Sequence, residues 1–175
     1  MKVYIYESNN PKKYAANFFA DAFFKHTGQT FPKEKYQTLP RAKNGKPKPI
    51  RITHSQKESN QKQLDLLHFN ISHSGKYWGI AFSDRPVGLD FQTKEKQGKP
   101  RKFSTKALQK ILSPNEILID NNPLHNFVVK EAYTKLTGEG LSSGFSTLDA
   151  NQLIRHYHPY SLEDDNLILY VFSRP

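Results

Sequence analysis

The chain contains no cysteine, which excludes disulfides, thiolate zinc sites and a cysteine nucleophile. It has no apolar run approaching the roughly 20 residues that a membrane-spanning helix needs. Met1 to Glu7 holds no long apolar stretch of the secretory kind, so a soluble cytoplasmic protein is the expectation. No short repeat is present. Acidic residues are few: 16 Asp and Glu stand against 26 Lys and Arg, for a formal net charge of +10. Such an excess favours anionic partners, whether nucleic acid, a membrane surface, a phosphorylated ligand or an acidic protein, and composition does not choose among them.

What is present fits one domain, or two small halves sharing a core, in 175 residues. The mean hydropathy is low at −0.74, yet aromatics make up 13% and supply large burial area per residue. Val3, Tyr4 and Ile5 read as a first strand. Pro11 opens a helix with apolar Tyr14, Phe18, Ala22 and Phe23 at helical spacing. Residues 28–63 are basic and rich in Gly, Pro, Gln and Ser, which predicts a mostly irregular stretch. Phe69 to Ser72, Tyr77 to Phe82 and Val87 to Phe91 are apolar runs separated by turn residues, hence strands. A helix is predicted from Phe103 to Leu112. Ser113 is the expected N-cap of another, with Pro114 at its first position and Glu116 completing a capping box. Asn121 to Pro123 break the chain, Asn126 to Thr137 form an amphipathic helix ending at Gly138, and the remainder reads as strand and turn. Both halves follow one coarse order of strand, helices and strands. The predicted fold is α+β, with two similar halves, 1–86 and 87–175, related by a pseudo-two-fold.

Some of these elements carry side chains suited to chemistry. In a strand, Asp90 and Gln92 share a face and offer two oxygen ligands side by side. Glu131 and Lys135, four apart, share a helical face; read alone, they are an ordinary surface ion pair. Lys130 points elsewhere, to a phosphate or to solvent. Magnesium takes oxygen ligands, commonly one or two carboxylates plus substrate phosphates, which an Asp on a strand and a Glu on a helix suit. In Asn70-Ile71-Ser72-His73-Ser74-Gly75, hydroxyls, an imidazole and turn N–H groups are potential phosphate donors, or simply a polar hairpin turn. A Ser–His–Asp hydrolase lacks its Gly-x-Ser-x-Gly elbow here. His156 and His158 have strand spacing but no third ligand nearby, so they read as surface or packing residues.

The order of these motifs is more specific than any one of them. Phe69 to Gly75, Trp78 to Phe82 and Pro86-Val87-Gly88-Leu89-Asp90 closely resemble the first signature of Sfp-type 4'-phosphopantetheinyl transferases. Phe127-x-x-Lys130-Glu131-Ala132-x-x-Lys135-x-x-Gly138-x-Gly140-Leu141 resembles their second. Gly45-Lys46-Pro47 precedes the first signature, and Leu112-Ser113-Pro114-Asn115-Glu116 lies between the two, as in the family. The resemblance implies coenzyme A as co-substrate in a cleft between two similar halves. Asp90 and Glu131 would hold magnesium, Lys135 and Ser72 would contact the pyrophosphate, and His73 would contact the 3'-phosphate. Lys46 and Lys130 would line the coenzyme site, and Glu131 or a water it orients would take the proton from the carrier serine. Gln92 stands where many members have a metal-binding Glu, and Phe127 replaces the common Trp. The segment before the first helix is short, leaving Lys12 and Lys13 as the nearest substitutes for basic 3'-phosphate anchors.

The resulting expectation is a monomeric enzyme that converts an acidic acyl or peptidyl carrier protein from apo to holo, with no nucleic-acid or membrane partner. The alternative is a non-catalytic carrier-protein or coenzyme-binding module with a metal site degenerate at Gln92. A nucleic-acid-binding domain would need aromatics interleaved with Arg on one sheet face, and these strands carry few Arg.

Overall fold

The structure, a computed structural model, describes residues 1–43, 45–55, 62–96, 98–139 and 144–174. Two antiparallel sheets carry the fold. In the first, β1 (Lys2–Glu7) pairs with β4 (Tyr77–Ser83), β4 with β3 (Lys62–Ser74), and β3 with β2 (Ile50–Ser55). In the second, β5 (Val87–Thr93) pairs with β9 (Leu167–Ser173), whose other side carries the exposed edge strand β8 (Tyr160–Glu163). A small ladder joins β6 (Glu95–Lys96) to β7 (Lys99–Pro100). The helices are α1 (Ala15–Thr27), α2 (Thr105–Ile111), α3 (Pro123–Thr137) and α4 (Ala150–Tyr157). The α+β expectation holds.

Alternation along the strands builds the layers. Phe69, Trp78, Ile80 and Phe82 turn one face of the first sheet to Ala15, Phe19, Ala22 and Phe23 of α1. Tyr77 and Ala81 face the other way, onto Val87, Leu89 and Phe91 of β5 and Leu167, Leu169 and Val171 of β9. The intervening β9 residues Ile168, Tyr170 and Phe172 pack on α3 and α4. The molecule is thus stacked helix, sheet, sheet, helices, with period-two side-chain alternation in β9 serving two cores at once.

The stretch 28–63 is not irregular throughout: it also holds β2, whose ladder partner β3 begins at Lys62, and its turn-rich, charged composition hid that ladder. Three local expectations are corrected. The α1 stripe runs through Ala15 and Phe19 rather than Tyr14 and Phe18, and Tyr14 is exposed. No helix starts at Ser113. Glu116 does accept from the Ser113 N–H at 2.7 Å, as a capping box would, but Asn115 is left-handed with φ 63° and turns the chain away. The end of the chain also holds α4, capped by the Asp149 carboxylate, which accepts from the N–H groups of Asn151 and Gln152. His156 therefore lies on a helix and His158 in its left-handed cap, not together on a strand.

Glu116 ties the outer helices together. Its Oε1 accepts from Asn126 Nδ2 and from the Ala150 N–H at 2.9 Å each, and its Oε2 accepts from Lys130 Nζ. Lys130 also donates to the carbonyls of Ile111 at 2.7 Å and Phe145 at 3.1 Å. Both side chains of the pair are fully buried. Burial lowers the Lys130 ammonium below its ordinary range. Burial alone would raise Glu116, but its four donors outweigh it and hold the carboxyl below its usual value. Removing one member of such a pair strands the other charge, at about 3–5 kcal/mol. Lys130→Ala is therefore expected to lower the unfolding free energy in urea by that amount, whereas Lys110→Ala, on the exposed face of α2, changes it by less than about 0.5 kcal/mol.

Candidate functional site

The second sheet and α3 meet at Gly88. A Cβ there would lie 2.8 Å from Leu136 Cα and closer still to the carbonyl of Ala132. With no side chain in the way, α3 lies directly on β5. Glu131 and Lys135 each precede one of these two contact residues, so the same turns of helix carry them to β5 beside Asp90. Gly138, left-handed with φ 81°, ends the helix just beyond.

Asp90 is 1% exposed. Its Oδ1 accepts from Lys135 Nζ at 2.6 Å and from Ser72 Oγ at 2.6 Å, and Lys135 Nζ also donates to Ser72 Oγ at 3.1 Å. Three residues from β3, β5 and α3 thus share one point. Burial first, and the Asp90 carboxylate second, push the Glu131 carboxyl up to about 7, against the opposing pull of Lys135. Gln92 joins the network through its nitrogen: Nε2 lies 3.5 Å from Asp90 Oδ2, while its Oε1 accepts from Ser74 Oγ at 2.9 Å. Ser72 and Ser74 belong to a polar face of β3 that holds β5 through side chains. Asn70 Oδ1 accepts from the Leu89 N–H at 3.3 Å, and Ser74 Oγ accepts from the Thr93 N–H at 3.1 Å.

Beside this cluster opens a pocket of about 210 Å³, lined by Arg41, Lys46, Asn70, Thr134, Lys135 and Gly138 among others. Lys46 Nζ donates to the Leu136 carbonyl at the end of α3, where a cation is favourable. Burial, with the Arg174 charge second, lowers the Lys46 ammonium below its ordinary range.

The structure therefore brings together Asp90, Glu131, Lys135, Ser72, Gln92 and Lys46. It does not bring Lys130, whose ammonium is sealed among Glu116 and two carbonyls. That corrects the expectation that Lys130 lines the coenzyme site. His73 is exposed and alternates to the side of β3 opposite Ser72 and Ser74. Lys13 is exposed in the turn before α1, with Nζ 5.8 Å from the Tyr14 ring. Gly140 and Leu141 of the second signature lie outside the described residues. Sequence reasoning missed Arg41, in the pocket wall, and Arg101, whose charge senses Asp90 and whose Nε donates to the Thr93 carbonyl at 3.2 Å. Each is a single Arg in an irregular segment, with no pattern around it to mark it.

Two curated proteins align with this chain. It is 36% identical over 96 residues to 4'-phosphopantetheinyl transferase psf-1 of Bacillus pumilus, a match covering 51% of this chain and 40% of that protein. It is 33% identical over 86 residues to 4'-phosphopantetheinyl transferase Sfp of Bacillus subtilis (strain 168), covering 45% of this chain and 37% of that one. Over about half its length the chain is thus similar to two 4'-phosphopantetheinyl transferases. The matches span less than two thirds of either relative, and no family model matches the chain.

The state of Glu131 gives this site a pH signature. Its proton is held up to about pH 7 in the folded chain, against an ordinary value of 4.5. Between these values the folded state binds more protons than the unfolded one. The contribution of Glu131 to stability is thus fully present below about 4.5 and is lost as pH rises through 7, by up to about 1.4 kcal/mol per pH unit. Urea unfolding of metal-free protein across this range is expected to show that decline, and Glu131→Gln to flatten it.

Proposed function

We propose that the protein transfers the 4'-phosphopantetheine arm of coenzyme A to a serine of an acidic acyl or peptidyl carrier protein. The observation that carries this reading is the convergence of Asp90, Lys135 and Ser72 beside a basic pocket lined from both β3 and α3. Similarity to two phosphopantetheinyl transferases supports it. Asp90 and Glu131 suit a hard divalent cation: they are near enough for one carboxylate to raise the other, and Lys135 supplies only one compensating charge. Magnesium held there would neutralise charge on the pyrophosphate. Gln92 contributes less, because its carbonyl oxygen is already an acceptor for Ser74.

In this reading Lys46 and Lys135 pair with the phosphates, and Ser72 Oγ donates to them. His73 and Lys13 are assigned to the coenzyme's 3'-phosphate end. Glu131, ionised, takes the proton of the carrier serine directly or through a water. The serine oxygen bonds to the β-phosphorus as the bond to adenosine 3',5'-bisphosphate breaks. The remaining catalysis is positioning and charge neutralisation. Residues 1–86 and 87–175 act as related halves; the order β1-β4-β3 echoes β5-β9-β8, first strand beside last. The protein works as a cytoplasmic monomer without nucleic-acid or membrane partners, and among the described residues no helix is long and apolar enough to cross a membrane.

Intact-mass analysis of apo carriers incubated with the protein, coenzyme A and magnesium tests this. A gain of one phosphopantetheine group is expected, abolished by Asp90→Ala and by Glu131→Ala while circular dichroism stays native. Coenzyme binding without transfer to any carrier would favour the non-catalytic module instead. Charge-assisted hydrogen bonds contribute about 1.5–3 kcal/mol each, so Lys135→Ala is expected to weaken coenzyme A binding roughly 10- to 100-fold by calorimetry.

A further inference from the structure

A second group of ligating side chains stands apart from the cleft, at the opposite end of α3. His125 lies in the first turn of that helix, Asp120 in the turn leading into it, and Glu163 at the end of β8. The His125 ring is buried, with its side chain only 4% exposed. Its Nε2 lies 3.3 Å from Glu163 Oε2 and 3.9 Å from Asp120 Oδ2. One ligand atom from each of the three falls within 4.8 Å of the others. They surround a pocket of about 120 Å³, which Ser161 and Tyr170 also line.

We propose that Asp120, His125 and Glu163 form a binding site for a zinc-class divalent cation, independent of the Asp90–Glu131 pair. The donor set is right: imidazole nitrogen with carboxylate oxygens, at bond lengths near 2.0–2.2 Å. Ligands at those lengths on a tetrahedral centre lie about 3.3–3.5 Å apart. Glu163 already meets that spacing to His125 Nε2, and Asp120, 3.9 Å from the same atom, must close toward it and toward Glu163. Asp120 is the most exposed of the three, at 74%, and has room to do so.

The surroundings hold the ligands in place. His125 Nδ1 is 3.1 Å from Tyr170 Oη. A proton on Nδ1, donated to that phenol, leaves the Nε2 lone pair facing the carboxylates, the outer-shell arrangement common to metal-binding histidines. Lys94 Nζ holds the other oxygen of Glu163, Oε1, at 2.7 Å and leaves Oε2 turned to the ring. Three protein ligands leave a fourth position for water in the pocket. An ion there joins the start of α3 to the edge strand β8, so it stabilises the fold in proportion to its occupancy.

Chelator-stripped protein titrated with zinc against a chromophoric chelator tests the site. The wild type and the Asp90→Asn/Glu131→Gln double variant are both expected to bind one zinc ion through it, with a rise in Tm. Cobalt in its place is expected to give visible absorption of a four-coordinate ion. Asp120→Asn, which alters an exposed side chain and leaves the packing intact, is expected to weaken binding at least about 10-fold, as is Glu163→Gln. Three results would overturn the proposal: no zinc bound at micromolar concentration, undiminished affinity in Asp120→Asn, or loss of binding in the Asp90→Asn/Glu131→Gln variant. The first would leave His125 and Glu163 as an ion pair only.

Discussion

Gly88 has no side chain, and α3 lies where one would be. The contacts between α3 and β5 at the candidate active site depend on that close approach. Lys135 reaches Asp90 because the helix rests on the strand at Ala132 and Leu136. The two carboxylates come near enough to share an electrostatic fate for the same reason. On its far side the helix is held by Lys130 and Glu116, whose bonds reach Ile111, Phe145 and Ala150. One helix is thus fixed from both sides: by a missing Cβ where it meets the sheet, and by a buried ion pair where it meets the outer helices.

The two sheets join differently. Asn70, Ser72 and Ser74, alternate residues on one face of β3, reach β5 through side chains rather than through a backbone ladder. Buried polar side chains require partners, and β5 supplies them with two backbone N–H groups, the Asp90 carboxylate and the Gln92 amide. The same face that joins the sheets also supplies the site. Ser72 is at once a seam residue and a neighbour of Lys135, so the chemistry sits at the join rather than on a peripheral loop.

Much of this was legible in the sequence because its signals are local. Asp90 stands in a strand bounded by turn residues, and Glu131 and Lys135 stand one turn apart in a helix closed by Gly138. The motif spacing then linked the two stretches. Lys130 was misread because a sequence displays charge, not partners: adjacent helical residues point about 100° apart, and the direction of Lys130 leads inward to Glu116. The Ser113–Glu116 box formed its hydrogen bond without a helix, since that bond constrains only its own turn. Helix α4 was readable from Asp149 followed by Leu153, Ile154 and Tyr157, but its polar positions and the His-Pro end concealed the period. Arg41 and Arg101 gain meaning only from the tertiary fold.

The pairing of β5 has a consequence for how the protein is made. Among the described residues its only backbone ladder partner is β9, Leu167–Ser173. The first sheet, by contrast, takes all four of its strands from residues that precede Val87. During synthesis from the N-terminus, that sheet and α1 can close on themselves while β5 waits as an open strand with an apolar face. The charge-bearing strand acquires its neighbour only when Leu167–Ser173 has emerged from the ribosome. Until then the backbone edge of β5, the strand that carries Asp90, has no ladder partner.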